Sequence, residues 1–254
     1  MEPLVVFLIA FGCIFGGTLL GMALRNRLPG HHLSSDSKDV VKLGTGMIAT
    51  LAALVLGLLI ASAKGTFETI TNEVRQTGAK TIMVDRLLAQ YGPETGEARA
   101  FLRRGVALAV DRIWPEETKT VAVEQVGQLG SGIEPFQDKL RQLSPRNEAQ
   151  RELKMKALQV SADIAEARWL LAEQAGQSSI PIPFLVILVF WLTVIFASFG
   201  LFSPRNTTVI IVMFLCALSA AGSLYLILEL DQPYNGIMKI SSEPLRKAIA
   251  MMGQ

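Results

Sequence analysis

Cysteine and histidine are almost missing from this chain, two of each in 254 residues. Cys13 and Cys216 both sit in apolar stretches, where a thiol behaves as a small hydrophobe, so no disulfide framework is available. His31 and His32 stand side by side in a loop without a third ligand at useful spacing; they receive no role, and no zinc site is indicated. An excess of one charge is missing too: 24 Lys and Arg face 22 Asp and Glu, a formal net charge of +2. The basic residues form no run that would track phosphates, so there is no nucleic-acid footprint. No nucleophile stands with a base in a recognisable motif and there is no phosphate loop, so an enzyme is not indicated. Met1-Glu2-Pro3 lacks the positive start of a cleavable signal peptide, and the apolar run behind it, closed by Arg25, is expected to be retained.

What the chain has in quantity is hydrocarbon. Half of its residues are hydrophobic and its mean hydropathy is +0.39, which places it in the membrane class. The stretch from Val41 to Phe67 is central, because it carries no charge from Leu43 to Ala63. That is about the 20 residues a helix needs to cross a bilayer. Within it small residues recur every fourth position, at Thr45, Ala49, Ala53, Gly57, Ala61 and Gly65. Such a ladder lets another backbone approach closely and marks a packing face. Ile48, Leu51, Val55 and Leu58 lie towards the other side. Two arrangements fit: the ladder packs inside its own bundle while the bulky side meets lipid, or several copies surround an axis and the bulky side chains form an apolar constriction that gates by dewetting.

Three further spans are expected. Pro3 to Leu24 is the first, with glycines at Gly12, Gly16, Gly17 and Gly21 giving two GxxxG spacings that favour tight helix contact. The third runs from about Ile180 to Phe202, after a Ser-Pro start, and holds Trp191 near its middle, where it should pack against protein. Ser203-Pro204-Arg205-Asn206 turns the chain into the fourth, Val209 to Leu228. No span carries a buried charge, which argues against a proton relay.

Between the second and third spans the pattern turns amphipathic. Phe67, Ile70, Val74, Thr77, Thr81, Val84 and Leu88 alternate steps of three and four, so the second span should run on as one helix until Gly92-Pro93 stops it. A second seam at Leu153, Ala157, Val160, Ile164, Ala167 and Leu171 predicts an antiparallel partner, with Ser144 as its cap and Pro145 in its first turn. Glu94 to Trp114 reads as a helix between them, and Gly130-Ser131-Gly132 as a break. Arg103-Arg104 is the only basic doublet in this region and reads as surface. The expectation is therefore an all-α polytopic protein: residues 1–63 carry spans one and two, 64–179 form a helical extramembrane domain, 180–230 carry spans three and four, and 231–254 form an amphipathic tail.

The fourth span ends in Glu229-Leu230-Asp231-Gln232-Pro233-Tyr234-Asn235-Gly236. Glu229 and Asp231, beside carbonyl and amide oxygens, fit either a hard cation such as calcium or a plain cap that closes the span. This Pro-aromatic-x-Gly turn after four spans, with a helical domain between the second and third, resembles the bestrophin channels. Lys38-Asp39-Val40-Val41-Lys42-Leu43-Gly44, Ala52-Ala53-Leu54-Val55-Leu56-Gly57-Leu58-Leu59-Ile60-Ala61, Arg168-Trp169-Leu170-Leu171, Phe190-Trp191-Leu192 and Ile227-Leu228-Glu229-Leu230 resemble, more closely, the bacterial bestrophin-like domain family of unknown function. The resemblance implies a homo-oligomer in a bacterial inner membrane, five-fold in bestrophins, whose second spans line a path for small inorganic ions and whose helical domain continues it on the cytoplasmic side. The chain departs from bestrophins in having no phenylalanine between Leu43 and Ala63, and only Glu229 and Asp231 where calcium-controlled bestrophins have a longer acidic run. Counting charges in short loops instead favours the Arg25–Lys42 loop as the inner one; the resemblance is followed here.

Two functions follow. One is an anion-permeable channel in the lipid bilayer, with Ile48, Leu51, Val55 and Leu58 as the constriction and Lys64 near one mouth. The other is a non-conducting membrane scaffold whose helical domain binds a partner protein.

Overall fold

The computed structural model describes residues 2–29, 34–115, 133–175, 180–234 and 236–252, with backbone alone for 171–175. The histidine pair, the Gly130-Ser131-Gly132 break, the Ser178-Ser179 helix start and the Leu171 side chain lie outside that description. Among the described residues there is no strand. The order is α1 (Pro3–Arg25), α2 (Ser35–Tyr91), a 3-10 turn (Pro93–Thr95), α3 (Gly96–Ile113), α4 (Glu134–Gln142), α5 (Glu148–Ala175), α6 (Ile182–Phe202), α7 (Thr207–Leu230) and α8 (Glu243–Met251). Four of these, α1, α2, α6 and α7, are long and apolar enough to cross a membrane. The chain forms two compact units, Met1–Phe67 with Ser178–Met238 and Glu68–Gln177 with Lys239–Gln254. α2 belongs to both, and the tail divides, its first residues joining the spans and α8 joining the second unit.

In the first unit α1 packs along α6 and α7. The α1–α6 approach depends on missing side chains: a Cβ on Gly21 would lie 2.0 Å from the Ala197 carbonyl oxygen, and one on Gly200 2.1 Å from that of Thr18. Gly17 meets the Thr193 backbone in the same way. Gly12 and Gly16, expected to pack equally tightly, instead face outward with nothing within 4 Å of where a Cβ would stand. Only one of the two GxxxG spacings is therefore used within the chain. Phe7, Phe11 and Phe15 stack along α1 one turn apart, and Phe214 of α7 meets the last two edge-on at centroid distances of 5.3 and 5.4 Å. Ile14, Leu188 and Leu224 are fully enclosed in this core, and Trp191 packs against it. One end of the unit is tied by exchanged cations. The Arg25 guanidinium donates to the Ser203 carbonyl, and that of Arg205 to the Met22 carbonyl at 2.8 Å, so each arginine satisfies oxygens that a helix C-terminus leaves open.

α2 starts at Ser35, before the expected end of the polar loop at Lys42, because the Ser34 side chain accepts from the Ser37 backbone N–H. It runs for 57 residues to Gly92, whose φ of 136° only glycine adopts without strain.

In the second unit the predicted seam is the core: Ile70, Val74, Thr81, Val84 and Leu88 of α2 are buried, as are Ala157, Val160 and Ile164 of α5. The two helices run antiparallel, since Lys80 pairs with Asp163 at 3.4 Å while Gln150, at the start of α5, donates to the carbonyl of Tyr91, at the end of α2. Ser144 is not the cap of α5. Asn147 takes that role, accepting from the Gln150 N–H at 2.8 Å, and Gln150 Oε1 accepts from the Arg146 N–H in return, the reciprocal arrangement of a capping box shifted by one residue. α3 is tied to the C-terminal segment by Trp114, whose Nε1 donates to the Ile240 carbonyl at 2.7 Å. Gly78 of α2 lies against the Pro244 carbonyl, with room for no Cβ. Glu73, past the apolar run of α2, has one carboxylate oxygen buried without a hydrogen-bond partner among the described residues, and burial raises its pKa above the ordinary 4.5.

Two predictions follow from this packing. Gly21→Leu should destabilise the detergent-solubilised protein by about 3 kcal/mol or more, because the α1–α6 backbones must separate, whereas Gly12→Ala should stay within about 0.5 kcal/mol. Thermal melting checks both. For Glu73, a raised carboxyl pKa means that the folded state holds the proton more tightly than the unfolded chain, so stability is lost as pH rises. Glu73→Gln should therefore melt higher than the parent at pH 7.5, and the gap should close as pH falls towards 4.5.

Candidate functional site

With roughly 100° between successive residues of a helix, the apolar run of α2 divides into three strips. The first is the seam to its own subunit: Ala52, Leu59 and Ala63 are buried in the first core, with Ile48, Val55 and Leu56 packed partly against it. The second is the small-residue strip, Ala49, Ala53, Gly57 and Ala61, all exposed, joined by Gly46 and Thr50. A Cβ on Gly46, Gly57 or Gly65 would meet nothing within 4 Å. The third is bulky and outward: Met47, Leu51, Leu54 and Leu58 are 70%, 49%, 71% and 63% exposed.

Among the described residues the ladder is exposed from Ala49 to Gly65, which does not fit the first of the two arrangements, with the ladder packed inside its own bundle. Its geometry explains why: each step of four residues advances about 40° beyond a full turn, so the ladder winds away from the seam. The four bulky candidates are also divided. Ile48 and Val55 turn towards their own core, and Leu51 and Leu58 face out. Lys64 is exposed, one turn beyond Ala61, on the side of the small strip. The Thr45 and Thr50 hydroxyls are satisfied within α2, since Thr50 Oγ1 donates to the Met47 carbonyl at 2.7 Å and Thr45 Oγ1 to that of Val41 at 2.8 Å.

Glu229 and Asp231 end α7, which extends to Leu230 and so takes Glu229 into its last turn. Glu229 is 4% exposed. Its carboxylate accepts from the Tyr225 hydroxyl one turn earlier and from the Ile237 backbone N–H at 2.8 Å. Gly236, at a φ of 101°, passes so close that a Cβ there would stand 2.2 Å from Glu229 Oε2. Both partners are donors, so the carboxylate organises the turn. Asp231 donates its backbone N–H to the Ile227 carbonyl and completes the helix end. No third carboxylate, imidazole or thiol joins them among the described residues. The glycine of the Pro-aromatic-x-Gly turn is thus fixed by backbone conformation and by the carboxylate beneath it. Pattern reading picked out the acids but missed Tyr225, whose spacing of one turn before Glu229 was the available signal.

A family model for the bestrophin-like domain matches residues 12–245. A crystal structure of a bacterial bestrophin homolog from Klebsiella pneumoniae, carrying one mutation, aligns with a TM-score of 0.62 and 15% identity, over 97% of this chain and 99% of that one. At that identity the likeness is one of fold. No curated protein matches the chain.

Gly236→Ala should lower stability by about 2 kcal/mol, because it combines an unfavourable φ with displacement of the Glu229 carboxylate. Gly222→Ala, in a helix and with nothing within 4 Å of its Cβ position, should not. Thermal melting of the two variants side by side reads the difference.

Proposed function

The chain belongs to the bestrophin-like domain family, and from that premise we propose that it is a homo-oligomeric membrane channel for small inorganic ions, with α2 of each copy lining a shared axial path. The observation that carries this reading is the outward surface of α2. A helix whose small strip and bulky strip both lack a partner in their own subunit has two surfaces to offer, one for a neighbouring copy and one for the axis. In hydrocarbon, helix association is driven by close van der Waals approach, for which Ala49, Ala53, Gly57 and Ala61 are suited. Once neighbouring copies meet along that strip, Leu51 and Leu58 are left as the residues that narrow the axis, with Ile48 and Val55 behind them as support.

A path so lined has no fixed charge from Leu43 to Ala63. Conduction then depends on whether the apolar ring is wet, because an ion stripped of water in a medium of low dielectric is prohibitively costly. Lys64, repeated once per copy at the end of the run, raises the local concentration of anions and gives the path its sign preference. By analogy with the family the ring holds five copies and the second unit lies in the cytoplasm of a bacterial inner membrane.

The test has two readouts on purified protein: the mass of the intact assembly in detergent, and current in planar bilayers. A closed ring of identical copies is expected, with currents that rise in Leu58→Ala, disappear in Leu58→Trp, and lose anion preference in Lys64→Glu. A monomer, or a verified ring that passes no current, would remove the channel reading and return the chain to a membrane scaffold.

A further inference from the structure

A cavity of about 670 Å³ opens in the second unit between α3 and the C-terminal helix α8, with Asp85 of α2 at its back. It owes nothing to the proposed ion path, since its lining comes from the second unit alone. Its shape follows from one face of α3, where residues recur at steps of three and four. Gly96, Ala100 and Ala107 keep that wall recessed, while Arg99, Arg103 and Arg104 bring three guanidinium groups to the same opening. Across from them stand Ile249 and Met252, an apolar wall.

The three cations do not play one role. Arg99 is taken up by Asp85 in a two-point pair, Nε to Oδ1 at 2.7 Å and a terminal nitrogen to Oδ2 at 2.9 Å. The Asp85 side chain is only 2% exposed, so this pair is the fixed floor of the cavity. It also consumes the one carboxylate in the lining, which leaves nothing there to attract a cation. Arg103 and Arg104 line the cavity without a salt bridge among the described residues; the Glu97 carboxylate that Arg104 also feels is bonded to Lys139. Two exposed guanidinium groups beside a fixed ion pair and an apolar wall suit a ligand with one anionic head and an aliphatic body. The volume lies within the range of small-molecule sites, far above what a bare inorganic anion fills, and no aromatic ring is present to stack a base.

We infer that this cavity between α3 and α8 is a binding site for a small amphiphilic organic anion, a carboxylate or phosphate on an aliphatic chain. Arg103 and Arg104 hold the head by charge-assisted hydrogen bonds and Ile249 and Met252 cover the chain. The same chemistry is offered by a free metabolite or by an anionic lipid.

The experiment is calorimetric titration of hexyl phosphate into the full chain in phosphatidylcholine nanodiscs, with empty nanodiscs subtracted. One saturable event per chain is expected, at least tenfold tighter than inorganic phosphate. The double variant Arg103→Ala/Arg104→Ala should weaken it at least tenfold. Ala107→Leu, which fills the cavity from the α3 side with both arginines intact, should abolish it, and circular dichroism with elution as the parent assembly shows that each variant is folded. If nanodiscs containing phosphatidylglycerol suppress the event, the site is filled by lipid; if they do not, the ligand is a soluble anion, and either result supports the site. Absence of saturable heat, equal binding of inorganic phosphate, or indifference to both folded variants would overturn it.

Discussion

Within hydrocarbon, moving one apolar side chain against another gains little, because lipid tails are as apolar as leucine. Attraction between helices then depends on how closely two backbones approach, and the α1–α6 crossing is where this chain meets that constraint. Gly21 and Gly200 each face the other helix's carbonyl oxygens at distances that admit no Cβ. With α1 held there, Phe11 and Phe15 are presented to Phe214 of α7 and Phe7 to Tyr225. The same device recurs on α2, where Ala53, Gly57 and Ala61 form a bare strip that is exposed among the described residues.

Much of this was legible in the sequence, for identifiable reasons. Uninterrupted apolar length marks spans without reference to their neighbours, so the four long helices were readable, as was the seam from Ile70 to Leu88, whose period is set by one helix alone. Direction around a helix was harder. The spacing of Gly12 and Gly16 is the same as that of Gly17 and Gly21, and only the partner decides which is used; here Thr193 and Ala197 lie against the latter pair. The split of Ile48 and Val55 from Leu51 and Leu58 has the same origin, since four residues at steps of three and four cover a band of about 80°, wide enough to straddle the edge of a buried seam. The cap of α5 was misplaced because Ser144-Pro145 is a good start signal and Asn147 a better one, made so by Gln150 three residues on.

Polar groups at the ends of the spans are treated alike. The Arg25 and Arg205 guanidinium groups reach carbonyls of the neighbouring segment, and Glu229 collects donors from Tyr225 and Ile237. A helix end in or near lipid has no water to complete its hydrogen bonds. Each of these charged side chains therefore serves as structure first, which separates them from Arg103 and Arg104, which line the cavity beside α3 without a salt bridge among the described residues.

That separation bears on where specificity can reside. The apolar run of α2 has no charged side chain to recognise an ion, so in the proposed channel any preference would arise at its ends or from the width of the opening, neither of which distinguishes closely related anions well. The second unit is built by other rules, with a two-point ion pair at 2.7 and 2.9 Å, a capping box and a recessed arginine-lined wall. Recognition of a particular molecule needs donors gathered at a defined place, and α3 brings Arg103 and Arg104 to one where the apolar run of α2 has none. Under the proposed channel and the proposed site the sequence would divide in this way, Leu51 and Leu58 obstructing and Arg103 and Arg104 selecting.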